Sequence, residues 1–310
     1  MDFDERTLRR LKLSDLRLFH AVVHWGGMAK AASHLNISQP AVSKAIAALE
    51  HTLGVRLLER HPQGVEPTLY GRALLKGGVA VFDELKQSLK EIEFLADPNG
   101  GELTIGCTEP LAAGFLAAVI DKFSEQFPRV GFNVVAADPV TLIERELAQR
   151  NIEFALAPIS GLNVRTDVEV EVLFDDRQVV MAGAQSKWGR RRNLRLPDLI
   201  GEPWIWPPPT SIIGVSMTEA FRASGVELPR TRVISFSIPL CYQLLSRGRF
   251  LAMLPTSMAR LAENLPLLIL KVSFPAIPRP TAIITLKNRT ISPLAQRFIG
   301  RIREFAKLSQ

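Results

Sequence analysis

The chain has 310 residues, 47% of them hydrophobic, and a formal net charge of +7. That is enough apolar content for two or three domains, and the basic balance favours a polyanionic partner. Two cysteines, Cys107 and Cys241, exclude a disulfide-built scaffold; no apolar run spans a bilayer, and the opening Met-Asp-Phe-Asp-Glu-Arg has no apolar export segment, so a soluble cytoplasmic protein is expected.

In chain order, Leu11 to Gly26 opens the first domain. Ser14 is placed to cap a helix whose Leu16, Phe19 and Val23 form an inward stripe, and Gly26-Gly27 ends it. Met28 to Leu49 then holds two helical patterns separated only by Asn36 and Ile37, with Ser38 positioned to accept the first free amide hydrogens of the second helix. This is the layout of a helix-turn-helix. Ala31, Ala32 and Leu35 are small enough for the helices to cross closely, and Val42, Ile46 and Leu49 share one inward face of the second helix. Pro40, Ser43, Lys44 and Ala47 project from the opposite face, with Gln39 at its N-terminal end. Such a face fits a major groove: Gln reads an adenine edge, Ser and Lys reach bases or phosphates, and the small residues admit close approach.

Gly54 stops that helix, and two short extended segments around Pro62-Gln63-Gly64 read as a hairpin, a wing flanked by Arg56 and Arg60 that would serve phosphates or the minor groove. Thr68 starts a long helix reaching about Leu95. Its Leu75, Gly78, Phe82, Leu85, Leu89, Ile92 and Ala96 alternate in steps of three and four, the seam of a coiled coil. A helix spanning about 40 Å cannot bury such a stripe alone, so pairing with a second copy is expected. Pro98-Asn99-Gly100-Gly101 reads as the linker to the next domain.

Beyond Glu102 strands and helices alternate. Strands are expected at Leu103 to Cys107, Gly131 to Ala136, Ile152 to Ala157, Val168 to Phe174, Gln178 to Ala182, Trp204 to Trp206, Val233 to Phe236, Leu251 to Leu254 and Thr281 to Leu286. Helices are expected at Leu111 to Phe127, Val140 to Arg150, Ser216 to Ser224, Leu240 to Ser246 and Pro293 to Leu308. The alternation predicts mostly parallel sheets covered by helices, in two α/β lobes joined by crossovers near Phe174 to Arg177 and Ser273 to Pro280.

These residues resemble a known family. Ala31-Ala32 with Leu35, Ser38-Gln39-Pro40-Ala41-Val42-Ser43, Leu49-Glu50, Leu53-Gly54, Leu57-Leu58-Glu59-Arg60, and Thr68 with Gly71 look like the signature of LysR-type transcriptional regulators. Beyond Gly101 the match rests on length, lobe pattern and short pieces such as Gly106, Phe127-Pro128 and Ser292-Pro293. Leu58 stands where the family usually has Phe, and Glu66 where a basic residue is frequent beside the wing. The resemblance implies an α/β protein with an all-α, winged N-terminal domain: a winged helix-turn-helix over residues 1–67, a dimerising linker helix over 68–97 and an effector domain over 98–310 built like a two-lobed periplasmic-binding protein. Lobe I would take about 102–174 and 276–310, and lobe II about 175–275. It further implies a homodimer or homotetramer that bends promoter DNA, contacts RNA polymerase and controls catabolic or uptake genes.

Ligands of open α/β sheets settle beyond the carboxyl ends of strands, where helix N-termini present free amides. Thr108, Glu109, Asp138, Ser160, Thr210, Ser211 and Ser237 sit at such junctions as candidates for binding a small polar or anionic effector, with Trp206 and Phe236 available for stacking. Each hydroxyl has a plainer alternative as a helix cap. A thiol or peroxide switch through Cys107 and Cys241 is the competing mechanism. An enzyme is not expected. All five histidines, His20, His24, His34, His51 and His61, fall in the first third of the chain, and the rest shows no zinc spacing, Gly-rich phosphate loop or nucleophile elbow. No catalytic residue, metal or cofactor is assigned.

Overall fold

The computed structural model describes residues 5–62, 64–163, 165–261, 265–274 and 279–308; Gln63 of the expected wing turn, and residues 275–278 of the second crossover, lie outside them. Contacts divide the chain into two compact units, Met1–Ser88 and Leu89–Gln310.

In the first unit, α1 (Glu5–Arg10), which the sequence reading did not include, precedes α2 (Leu13–His24), α3 (Met28–His34) and α4 (Gln39–Leu53). Helix α2 starts one residue before Ser14, with Lys12 at its cap position. Ser14 therefore caps nothing and gives its hydroxyl to Asp15 at 3.2 Å. The buried stripe of α2 is Phe19 and Val22 rather than Val23, and it packs with Ala31, Ala32, Val42, Ile46 and Leu49 into one core. Gly54 ends α4 at φ +68°, a left-handed conformation that glycine takes without steric cost.

The wing is the antiparallel pair β1 (Leu58–His61) and β2 (Gly64–Pro67). The Val65 amide donates to Gly26 O at 3.2 Å, which ties the hairpin to the turn after α2. Thr68 then caps α5 (Leu69–Ala96): its Oγ1 donates to Arg56 O at 2.8 Å and accepts from the Gly71 amide at 3.0 Å. A Cβ at Gly71 would lie 2.1 Å from Leu57 O, so only glycine lets the helix start this close to the wing.

The second unit begins within α5. Its Lys90 ammonium pairs with buried Glu153, which also accepts from Ser292 Oγ at 2.6 Å. Phe94 packs on the core beneath it, and Asp97 pairs with Arg129 at 2.7 Å. Only Pro98 and Asn99 interrupt the chain here. Gly100-Gly101, expected in the linker, already belong to β3 (Gly100–Cys107), where they pair with Arg129 and Val130.

After β3 come α6 (Glu109–Leu111), a π-helical turn over Ala112–Leu116, and α7 (Ala117–Gln126), one continuous helical path that starts two residues before the expected Leu111. Then follow β4 (Arg129–Ala136), α8 (Pro139–Thr141) with a π-helical continuation over Leu142–Leu147, β5 (Phe154–Pro158) and β6 (Val168–Asp175). Lobe II supplies β7 (Gln178–Gly183), β8 (Leu194–Arg195), β9 (Trp204–Trp206), α9 (Ile212–Ala223), β10 (Thr231–Ile234), α10 (Ile238–Ser246), β11 (Leu251–Pro255), α11 (Thr256–Leu261), β12 (Leu267–Leu270) and β13 (Val272–Ser273). The chain returns to lobe I for β14 (Pro280–Leu286) and α12 (Pro293–Leu308).

Lobe I holds a five-stranded sheet in the order β4-β3-β5-β14-β6, and lobe II one in the order β10-β9-β11-β7-β12. Both are mixed rather than mostly parallel. β14 runs antiparallel to β5 and β6, and β7 antiparallel to β11 and β12. The crossovers explain this: the chain leaves lobe I at Asp175 and returns opposite it at Pro280, so the returning strand runs against the departing one.

Period-two alternation puts Leu103, Ile105 and Cys107 on one face of the lobe I sheet, against Phe123 of α7 and Phe298 of α12, whose rings meet edge to face at 5.0 Å. The opposite face packs under Leu142, Ile143 and Leu147. In lobe II, Trp204, Trp206 and Phe221 form the corresponding aromatic centre.

Candidate nucleic-acid interface and ligand cleft

The first candidate surface is the outer face of α4. Ser38 adopts an extended backbone and its Oγ accepts from the Ala41 amide at 3.4 Å, while Pro40 occupies the first turn, where its missing N–H costs nothing. With Val42, Ile46 and Leu49 held inside, Gln39, Pro40, Lys44 and Ala47 are exposed. Ser43 differs from the expectation: it is half-buried and donates to Met28 Sδ at 3.1 Å, so it sits on the seam with α3. Lys44 makes no ion pair among the described residues and is left to meet an external anion.

Arg56 and Arg60 are both exposed beside the wing. The carboxylate of Glu59 lies 3.8 Å from His61 rather than on an arginine. Glu59 and Glu66 stand directly opposite each other in the hairpin, so one wing face carries two like charges; Arg60, opposite Val65, points to the other.

The second candidate region lies between the lobes of the second unit. Glu109, at the end of β3, reaches lobe II, where its Oε1 accepts from the Ile238 amide at 3.4 Å. Beside this bridge is a cavity of about 520 Å³, lined by Glu109, Ala113, Ile238, Tyr242, Leu265 and Pro266. Its walls are mainly apolar, with a carboxylate at one end.

The other candidates have separate surroundings. Asp138 caps α8 by accepting from the amides of Val140 and Thr141 at 3.0 and 3.1 Å. Burial raises its pKa, but the bonds from Thr141 and Val140 outweigh that and hold it below the usual carboxylate range. Ser211 caps α9, accepting from the Gly214 amide at 3.1 Å, and Ser237 caps α10. Trp206 is 4% exposed, its ring enclosed by Trp204 and Phe221, and is not available for stacking on a ligand. Phe236 and Thr210 are exposed, Ser160 is half-buried, and Thr108 is buried.

Sequence reasoning missed a polar group at the crossovers. Asp176, 2% exposed, accepts from the Ser257 amide at 2.9 Å and Ser257 Oγ at 2.6 Å, and its own amide donates to Arg279 O at 3.0 Å. Burial pushes the Asp176 carboxyl up, partly offset by the Ser257 bonds; burial also pulls the Arg279 guanidinium down, opposed by Asp176. The polar run Asp175-Asp176-Arg177-Gln178, sited where the chain changes lobe, was the available signal.

Cys107 and Cys241 are both buried. Burial raises both thiols, that of Cys241 to about 12, which removes the thiolate that redox chemistry requires. Among the described residues no cluster of His, Cys, Asp and Glu is arranged to hold a metal, and no helix is long and apolar enough to cross a membrane.

Comparison with known proteins accounts for both regions. Residues 13–72 match the family described as bacterial regulatory helix-turn-helix protein, lysR family, and residues 96–307 match the LysR substrate binding domain. The HTH-type transcriptional regulator GbpR of Azospirillum brasilense is 27% identical over 296 residues, covering 95% of this chain and 86% of its own. Full-length CbnR solved with its target DNA superposes with a TM-score of 0.55 at 21% identity, covering 96% of this chain and 100% of that one. A full-length OxyR variant from Pseudomonas aeruginosa gives a TM-score of 0.65 at 19% identity, covering 96% and 95%. With both matched segments lying on the two folded units, this chain belongs to the LysR family of transcriptional regulators.

Proposed function

We propose that the protein binds duplex promoter DNA through the exposed face of α4 and that a small polar or anionic metabolite, held between the two lobes, modulates that binding. The observation that carries the reading is the capped α4, with Gln39, Pro40, Lys44 and Ala47 outward over a buried Val42, Ile46 and Leu49. In a major groove Gln39 meets a base edge and Lys44 a base or phosphate, while Ser43 orients the helix through its bond to Met28. Arg56 and Arg60 take phosphates beside the wing. The solved CbnR complex with its target DNA supports the assignment of the first unit.

Two copies pair along the exposed part of α5, placing two recognition helices at half-sites about one helical turn, or a multiple of it, apart. Pairs assemble further into a tetramer, and the effector shifts the arrangement of subunits, with consequences for DNA bend and for contact with RNA polymerase. A cytoplasmic location and control of catabolic or uptake genes follow from this reading. Thiol sensing is disfavoured, because both sulfurs are buried and protonated.

Footprinting of the purified protein on the DNA flanking its own gene tests the proposal. A protected site that scrambled duplex does not compete away is expected; no protection at low salt would reject it. Lys44→Ala should weaken binding at every site and reduce the salt slope by about one. An unchanged slope would remove Lys44 from the phosphate contacts.

A further inference from the structure

Six buried side-chain nitrogen and oxygen atoms have no hydrogen-bond partner among the described residues, and four of them belong to Thr108, Gln178 and Arg279. These are Thr108 Oγ1, Gln178 Oε1 and Nε2, and Arg279 Nε, on residues only 5%, 5% and 8% exposed. They share one place in the fold. Thr108 follows β3 and donates its amide to Leu156 O at 3.3 Å; Pro158, ending β5, pairs with Thr281, and Arg279 lies just before that strand. Gln178 opens β7 across the outgoing crossover, in register with Pro255, and the Asp176 amide bonded to Arg279 O joins the two crossovers. α11 packs over this end of lobe I, against α6 and the π-helical turn.

An unpaired buried donor or acceptor costs its full desolvation free energy, so a fold seldom gathers four at one junction without something to satisfy them. Asp176 does not, since Ser257 binds both of its oxygens. We infer that Thr108, Gln178 and Arg279 form the inner end of the interlobe ligand site and receive the carboxylate of a small acid bearing a neighbouring hydroxyl or amino group. Thr108 Oγ–H, Gln178 Nε2–H and Arg279 Nε–H donate to the carboxylate oxygens, and Gln178 Oε1 accepts from the neighbouring group. Burial already disfavours the Arg279 cation, and an anion beside it relieves that cost. The assignment rests on the reading of the interlobe region as the effector site, and it adds Gln178 and Arg279 to that site together with the class of ligand.

The test is thermal melting of the full-length protein in sodium L-lactate, in uncharged lactamide, and in sodium chloride at matched ionic strength. Lactate should raise the melting temperature saturably, while the other two should not. Thr108→Val and Gln178→Leu remove orphaned polar atoms at nearly constant volume. Each should therefore raise the ligand-free melting temperature by about 2 °C and weaken the lactate response at least tenfold. The inference is overturned if lactate gives no shift beyond sodium chloride, if lactamide matches lactate, or if the variants melt lower without ligand and respond to lactate like wild type, the behaviour of groups satisfied by structural water. A metabolite-sensitive DNA footprint together with lactate-insensitive melting would discard this inference alone, whereas loss of the footprint itself would discard the underlying function.

Discussion

At the scale of single residues, burial decides what a side chain can do. Trp206 and Phe236 are both aromatic residues beside strand ends, yet one is enclosed in the lobe II core and the other is 53% exposed. His20, half-buried on α2, is held below the ordinary histidine value of 6.5 by burial, with His24 adding to the effect. The unfolded chain then binds more protons than the folded one between the lowered value and 6.5, so stability rises with pH across that window and is lost as pH falls through it. Amide exchange of α2 and α4 should accelerate on acidification from pH 7.5 to 5.5, and His20→Leu should flatten the dependence. Equal pH dependence in the variant would assign the effect to other groups.

At the scale of elements, α5 does two jobs along its 28 residues. Leu75 packs on the helix-turn-helix core and Gly78 is buried, so the first part of the expected seam is covered by its own chain. Leu85, Leu89 and Ile92 are 46%, 53% and 62% exposed, and it is this part that requires a partner. Leu89→Asp should convert the sedimenting species to monomer, because a paired seam would have to bury an unpaired carboxylate. A profile matching wild type would reject pairing through this stripe. The wing poses the opposite case: its register places Glu59 against Glu66, a clash of like charges that the one-dimensional pattern did not reveal.

At the scale of the whole molecule, each unit has its own core. Phe298, fully buried between Phe123 and Phe132, anchors α12 on lobe I. Phe298→Ala should destabilise the second unit by about 3–5 kcal/mol, read as an earlier denaturant-unfolding midpoint in the fluorescence of Trp188, Trp204 and Trp206. An unchanged midpoint would mean that this cluster does not limit the stability of the unit. Much of the architecture was legible without coordinates. The helix-turn-helix, the span of Trp204–Trp206 and the closing helix Pro293–Leu308 appear where the spacing predicts them, since period, cap and stop signals act within a few residues of one another. What only the tertiary structure decided was relational: the antiparallel entry of β14 and β7, the division of the α5 stripe, the seat of Ser43 against Met28, and the gathering of Thr108, Gln178 and Arg279 with unsatisfied polar atoms. These depend on contacts between residues up to about 170 positions apart, set by where the chain crosses between lobes, and local pattern carries no record of such distances.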